Sequence, residues 1–97
     1  MIETSKIAQL RRLLHSMEES LGLVELSSTE RDVYYAASEL SEQDRIVRSD
    51  DLQDHPLING VAKPTYFRAL KTLVKLGYLH HAAGTKTGKY VVDLPSE

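Results

Sequence analysis

The chain has 97 residues, 41% hydrophobic and 27% charged, with a formal net charge of −2 and no cysteine. That length supports one domain with a modest core, and the absence of cysteine excludes disulfides, thiolate zinc sites and thiol catalysis. No apolar run approaches the roughly 20 residues needed to span a bilayer, and Met1-Ile2-Glu3-Thr4-Ser5-Lys6 lacks the layout of a signal peptide, so a soluble, cytoplasmic protein is expected.

Residues 4–21 are expected to form the first helix. Ile7, Leu10, Leu14, Met17 and Leu21 recur at spacings of three and four, an a/d heptad seam that Leu13 widens. Thr4 or Ser5 suits the N-cap, and Gly22 supplies a C-terminal stop. A seam this regular, ahead of a domain with its own core, points to helix pairing between subunits. Packing against its own domain is the alternative. With Ile7 at a, Lys6 falls at g and Arg11 at e, so a parallel pair sets like charges against each other. An antiparallel pair would instead bring Arg11 near the partner's Glu18.

Ser27, followed three residues later by Glu30, fits a capping box that opens a second helix. Val33, Tyr34, Ala37 and Leu40 give its apolar stripe, with Tyr35 at the boundary of the core. Ser41 to Asp44 form a polar break, and Arg45-Ile46-Val47-Arg48 reads as a brief extended segment. Ser49 can cap a short helix whose first turn carries Asp50 and Asp51, acids that suit the positive end of the helix dipole. Leu52 is its core anchor, and His55-Pro56-Leu57-Ile58-Asn59-Gly60 turns the chain.

The next helix opens at Pro64, a residue favoured at the first helical position. It runs to about Leu76, with Gly77 as its stop. Tyr66, Ala69, Leu70 and Leu73 mark the inner face, while Thr65, Arg68 and Lys71 or Thr72 lie off it and Lys63 stands at the entrance. Phe67 is either a lid on the scaffold helix or an outward apolar contact of the kind a thymine methyl would make. Tyr78-Leu79-His80-His81 and Tyr90-Val91-Val92 are β-prone, and Gly84-Thr85-Lys86-Thr87-Gly88-Lys89 joins them as a flexible cationic loop. The fold class is therefore mainly α with a small β-hairpin, an α+β domain.

Charge is distributed unevenly along these elements. Residues 55–92 hold Lys63, Arg68, Lys71, Lys75, Lys86 and Lys89 and not one acid, whereas residues 1–54 hold six basic residues against twelve acidic ones. Exposed charges more than about 8 Å apart are largely screened at physiological salt, so the local balance outweighs the total. A cationic helix beside a cationic hairpin suits a nucleic-acid backbone.

Other chemistry finds little support. His80 and His81 are adjacent in a strand, point to opposite faces and cannot share one metal ion. Asp51 and His55 suit a surface ion pair, and the acidic pairs Glu18-Glu19 and Asp50-Asp51 suit solvated faces. No catalytic constellation or phosphate-cradling glycine loop can be assigned, so no enzyme, metal or cofactor is expected.

The run from Val61 to Leu73 (Val-Ala-Lys-Pro-Thr-Tyr-Phe-Arg-Ala-Leu-Lys-Thr-Leu), closing with Leu76-Gly77-Tyr78-Leu79, resembles the recognition segment of bacterial winged helix-turn-helix regulators. Gly88-Lys89-Tyr90 resembles the return strand of the wing, and Leu26-Ser27 the opening of MarR-type domains. The resemblance covers about residues 25 to 93. The stretch from Leu52 to Thr65 is longer than the usual turn, Pro64 replaces a customary polar residue, and the long C-terminal dimerisation helix has no counterpart.

The resemblance implies a MarR-like, sequence-specific double-stranded DNA-binding transcriptional regulator acting as a homodimer. Residues 1–24 would be the dimerisation helix, paired through Ile7, Leu10, Leu14, Met17 and Leu21, and residues 25–97 the winged-helix domain. Thr65, Tyr66 and Arg68 would read or flank bases. Lys63, Lys71, Lys86 and Lys89 would hold phosphates, with Thr85 and Thr87 as neutral donors. The alternative is a winged helix used as a protein-interaction module, its apolar N-terminal seam docking a partner chain.

Overall fold

The computed structural model describes residues 3–84 and 88–93. Its elements in order are α1 (Thr4–Leu21), a 3-10 turn (Leu23–Glu25), α2 (Ser28–Ser41), β1 (Val47–Arg48), α3 (Ser49–Asp54), α4 (Lys63–Leu76), β2 (Leu79–His81) and β3 (Lys89–Val92). The chain is mainly helical with a three-stranded antiparallel sheet in the order β1-β3-β2. Among the described residues no helix is long and apolar enough to cross a membrane.

Local chemistry sets most helix ends. The capping box forms as expected: the Glu30 N–H donates to Ser27 Oγ at 3.2 Å, and the Ser27 N–H donates to Glu30 Oε1 at 2.9 Å. Helix α4 stops at Gly77, whose φ of 89° is a left-handed conformation that a Cβ would strain. Its N–H, and that of Tyr78, close the last turn onto carbonyls of that helix, the Tyr78 bond to Leu73 at 2.9 Å.

The bounds expected for α1 hold, but its cap and the starts of α3 and α4 differ from expectation. Helix α1 begins after Glu3 with no side-chain cap, so neither Thr4 nor Ser5 acts as N-cap. Arg48 occupies the N-cap of α3, and Ser49 is already helical, its hydroxyl drawn instead to the Tyr66 hydroxyl at 3.0 Å. In α4, Lys63 is the first residue and Pro64 the second, still within the turn where a missing N–H costs nothing.

One core joins these elements. Leu23 and Leu26 enter it from the turn after α1, Val33, Tyr34, Ala36 and Ala37 from α2, and Tyr66, Ala69, Leu70 and Leu73 from α4. The small residues on α2 and α4 let the two helices pack closely. The long α3–α4 connection is accommodated because it carries its own core residue, Ile58, and turns through N–H bonds from Ile58 and Asn59 to the His55 carbonyl. His55 pairs with Glu39 rather than Asp51: its Nε2 lies 3.0 Å from Glu39 Oε1, while Nδ1 accepts the Leu57 N–H.

Strand β3 lies between the other two, with Val47 opposite Tyr90, Arg48 opposite Lys89, and His81 also opposite Tyr90. The Tyr34 hydroxyl donates to the Asp93 carbonyl at 2.7 Å, tying α2 to the end of β3. Burial and the neighbouring Asp93 push that phenol's pKa up to about 12.

Candidate nucleic-acid interface

Helix α4 buries one side and offers the other to solvent. Tyr66, Ala69, Leu70 and Leu73 fill the core, which leaves Pro64, Phe67, Arg68, Lys71 and Lys75 on an exposed stripe. That stripe follows from 3.6 residues per turn and from the placing of the apolar set at 66, 69, 70 and 73. Arg68 folds back along the helix, its Nε 3.4 Å from the Pro64 carbonyl, a contact long enough to be exchanged for a stronger acceptor.

Thr65 and Thr72 are half-buried beside that stripe. With Arg68 they line a shallow cleft shared with Ser27, Thr29 and Glu30 at the start of α2. On the other flank, Phe67, Lys71, Val74, His81 and Tyr90 border a groove of about 160 Å³ between α4 and the hairpin. The outward side of α4 therefore runs directly onto the sheet.

Tyr66 is a correction. Its side chain is 1% exposed, its hydroxyl meets Ser49 Oγ, and burial raises its pKa. A ring so enclosed cannot contact a base, and it belongs to the inner face alone. Lys63 is exposed but shares the cleft between α3 and α4 with Asp50 and Asp54, which offset part of its charge. Thr85, Lys86 and Thr87 lie outside the described residues.

Sheet pairing adds a residue that the linear charge map leaves in the acidic half. Arg48 sits in register with Lys89, and both are exposed. Their neighbours Val47 and Tyr90 face the core, so strand alternation sends both cations outward. The signal lay in the short extended segment at 45–48, but only the long-range pairing to β3 reveals the neighbour. None of Arg48, Lys63, Arg68, Lys71, Lys75 and Lys89 forms an ion pair with a described residue.

The seam of α1 is open. Ile7, Leu10, Leu13, Leu14, Met17 and Leu21 are 41–59% exposed, so the helix does not bury its apolar side against its own domain. What anchors it is polar. Glu18, expected in a solvated face, is only 9% exposed, accepts a hydrogen bond from the Tyr35 hydroxyl and lies 3.8 Å from Arg31. Arg31 also donates to the carbonyls of Leu23 and Leu26, bracing the turn that follows α1. Glu18 is thus engaged within its own chain, which removes the charge argument for an antiparallel pair through Arg11.

Among the described residues no three His, Asp or Glu side chains are grouped to hold a metal ion. No protein-family model, curated protein or solved structure matches the chain.

Proposed function

We propose that the chain is a winged-helix, sequence-specific double-stranded DNA-binding regulator that acts as a homodimer. The observation that carries this reading is a set of cations on α4 and the adjoining strands that form no ion pair among the described residues: Arg68, Lys71 and Lys75 outward on the helix, Arg48 and Lys89 outward on the sheet. Long charged side chains without acidic partners among the described residues, beside a helix narrow enough for the major groove, match a phosphate backbone and its base edges.

In this reading α4 enters the groove with Arg68 on a guanine edge. Lys71 and Lys75 face phosphates, and Arg48 and Lys89 hold the backbone beside the hairpin, with the loop cations expected from the sequence beyond them. Lys63 contributes less because of Asp50 and Asp54. The order of elements, a short strand before α3, then α4, then a hairpin pairing back onto that strand, is what a winged helix requires. Helices in proteins draw most of their stability from packing an amphipathic face, so the open seam of α1 supports pairing between two copies. Two recognition helices would then meet half-sites about 34 Å apart on one face of the duplex.

Selection of bound fragments from a sheared bacterial genomic library, followed by sequencing, tests the reading. A shared motif with two related half-sites is the expected outcome. Recovery of fragments indistinguishable from the input would overturn sequence-specific recognition.

A further inference from the structure

Phe67 is 49% exposed on the outward face of α4, with Arg68 and Lys71 on the same stripe and Leu70 and Val74 on its inner side. Solubility does not favour a half-exposed phenyl ring there, and folding gains little from it. Nor is the ring loosely placed. It packs edge-on against Tyr66 with centroids 5.0 Å apart at 67°, and the Ser49 hydroxyl holds Tyr66 in turn. On its sheet side lies the groove with Lys71, Val74, His81 and Tyr90.

The cations around it select the occupant. Arg68 and Lys71 are exposed on the same stripe, so the surface meeting Phe67 must be anionic overall and apolar at one point. In the major groove the apolar group on a base edge is the C5-methyl of thymine. Successive helical residues are about 100° apart around the axis. Phe67 therefore leans toward the sheet while Arg68 leans toward the start of α2, and the two reach neighbouring base pairs.

We infer that Phe67 is a specificity-determining residue that packs on a thymine C5-methyl beside the base contacted by Arg68. This rests on the DNA-binding reading above and deepens it: each half-site pairs one guanine contact with one adjacent methyl contact.

The test removes the methyl and nothing else. Duplexes enriched from a random pool by the full chain are recopied with dUTP in place of dTTP, which keeps base pairing intact. The wild-type chain should bind the uracil copies about four-fold more weakly for each methyl lost from a contact, and about fifteen-fold for two half-sites. Phe67→Ala should bind both copies alike, and Phe67→Leu, which keeps an apolar surface, should retain part of the preference. Thermal melts should show both variants folded, with only a modest fall for Phe67→Ala, because the ring is half in solvent. Equal binding of both copies by the wild-type chain would overturn the inference and leave DNA binding standing. So would a Phe67→Ala chain that keeps the wild-type preference. Failure to enrich any duplex would remove the DNA-binding reading and this inference together.

Discussion

Arg48 and Lys89 face each other across β1 and β3, two exposed cations in register without an acidic partner among the described residues. Like charges directly opposite in an antiparallel pair destabilise a sheet by a few tenths of a kcal/mol. An anion held against both would relieve that repulsion. Arg48→Ala should therefore leave the fold slightly more stable, by about 0.2–0.5 kcal/mol in urea unfolding, while weakening specific and random DNA alike. Lys89→Ala should behave the same way, each variant making the salt dependence of dimer binding shallower by about two units, one contact being lost from each subunit. A loss of stability in both variants would show that the pair is structural.

Arg68 is expected to act differently. Arg68→Ala should weaken specific binding by about 1–3 kcal/mol and relax base preference at one position per half-site, with little effect on random duplexes. Competition titrations on specific and random DNA measure the contrast with Lys89→Ala. If the two variants cannot be told apart, the division between reading and positioning is wrong.

The bond between Tyr35 and Glu18 fixes where α1 leaves the domain. Tyr35→Phe removes the donor and leaves Glu18 with Arg31 alone, at 3.8 Å. A hydrogen bond to a charged group contributes about 1.5–3 kcal/mol, and denaturant unfolding should show a loss in that range. Because α1 would set the spacing of the two recognition helices, operator affinity should fall further than stability does. Wild-type stability in Tyr35→Phe would mean that the contact is incidental.

Much of this organisation is legible in the sequence because its causes are local. The capping box at Ser27 and Glu30, the glycine stops at Gly22 and Gly77, and the inner face of α4 all follow from residues within one or two helical turns. What escaped depends on distant partners. Glu18 reads as a solvated acid until Tyr35 and Arg31 close on it, and Ser49 as an N-cap until the Tyr66 hydroxyl claims it. Arg48 belongs to an acidic half until β3 lies beside β1. Tyr66 carried two incompatible roles, and burial decides for the core.

The seam predicts an assembly. Leu14→Glu places a charge in the middle of the exposed stripe without touching the core, so a folded monomer that has lost most operator affinity is expected. Sedimentation velocity at tens of micromolar should give a dimer for the wild-type chain and a monomer for the variant. A monomeric wild-type chain would remove the homodimer, and unfolding by Leu14→Glu would place the seam inside the domain.

Three buried or half-buried phenols should limit stability in alkali. Burial raises the pKa of Tyr34 to about 12 and that of Tyr66, and burial together with the Glu18 hydrogen bond raises that of Tyr35. The neutral form is thus favoured in the folded chain. Its stabilisation is complete well below pH 10, the unfolded value, and is lost as pH rises through that value toward the raised folded values, about 12 for Tyr34. Circular dichroism unfolding at pH 7.5, 9 and 11.5 should show stability level between the first two, both below the unfolded value, and lower at the third. Tyr34→Phe should reduce that alkaline loss, and an unchanged loss would assign it to other groups.

The most direct measurement is a fluorescence anisotropy titration of an enriched duplex at several salt concentrations. With Arg48, Lys71, Lys75 and Lys89 of each subunit on phosphates, the dimer makes about eight contacts, so log K should fall linearly with log salt at a slope of about −7. Absence of binding at low salt would contradict DNA recognition and shift the reading to a protein-interaction module that docks a partner through the open seam of α1.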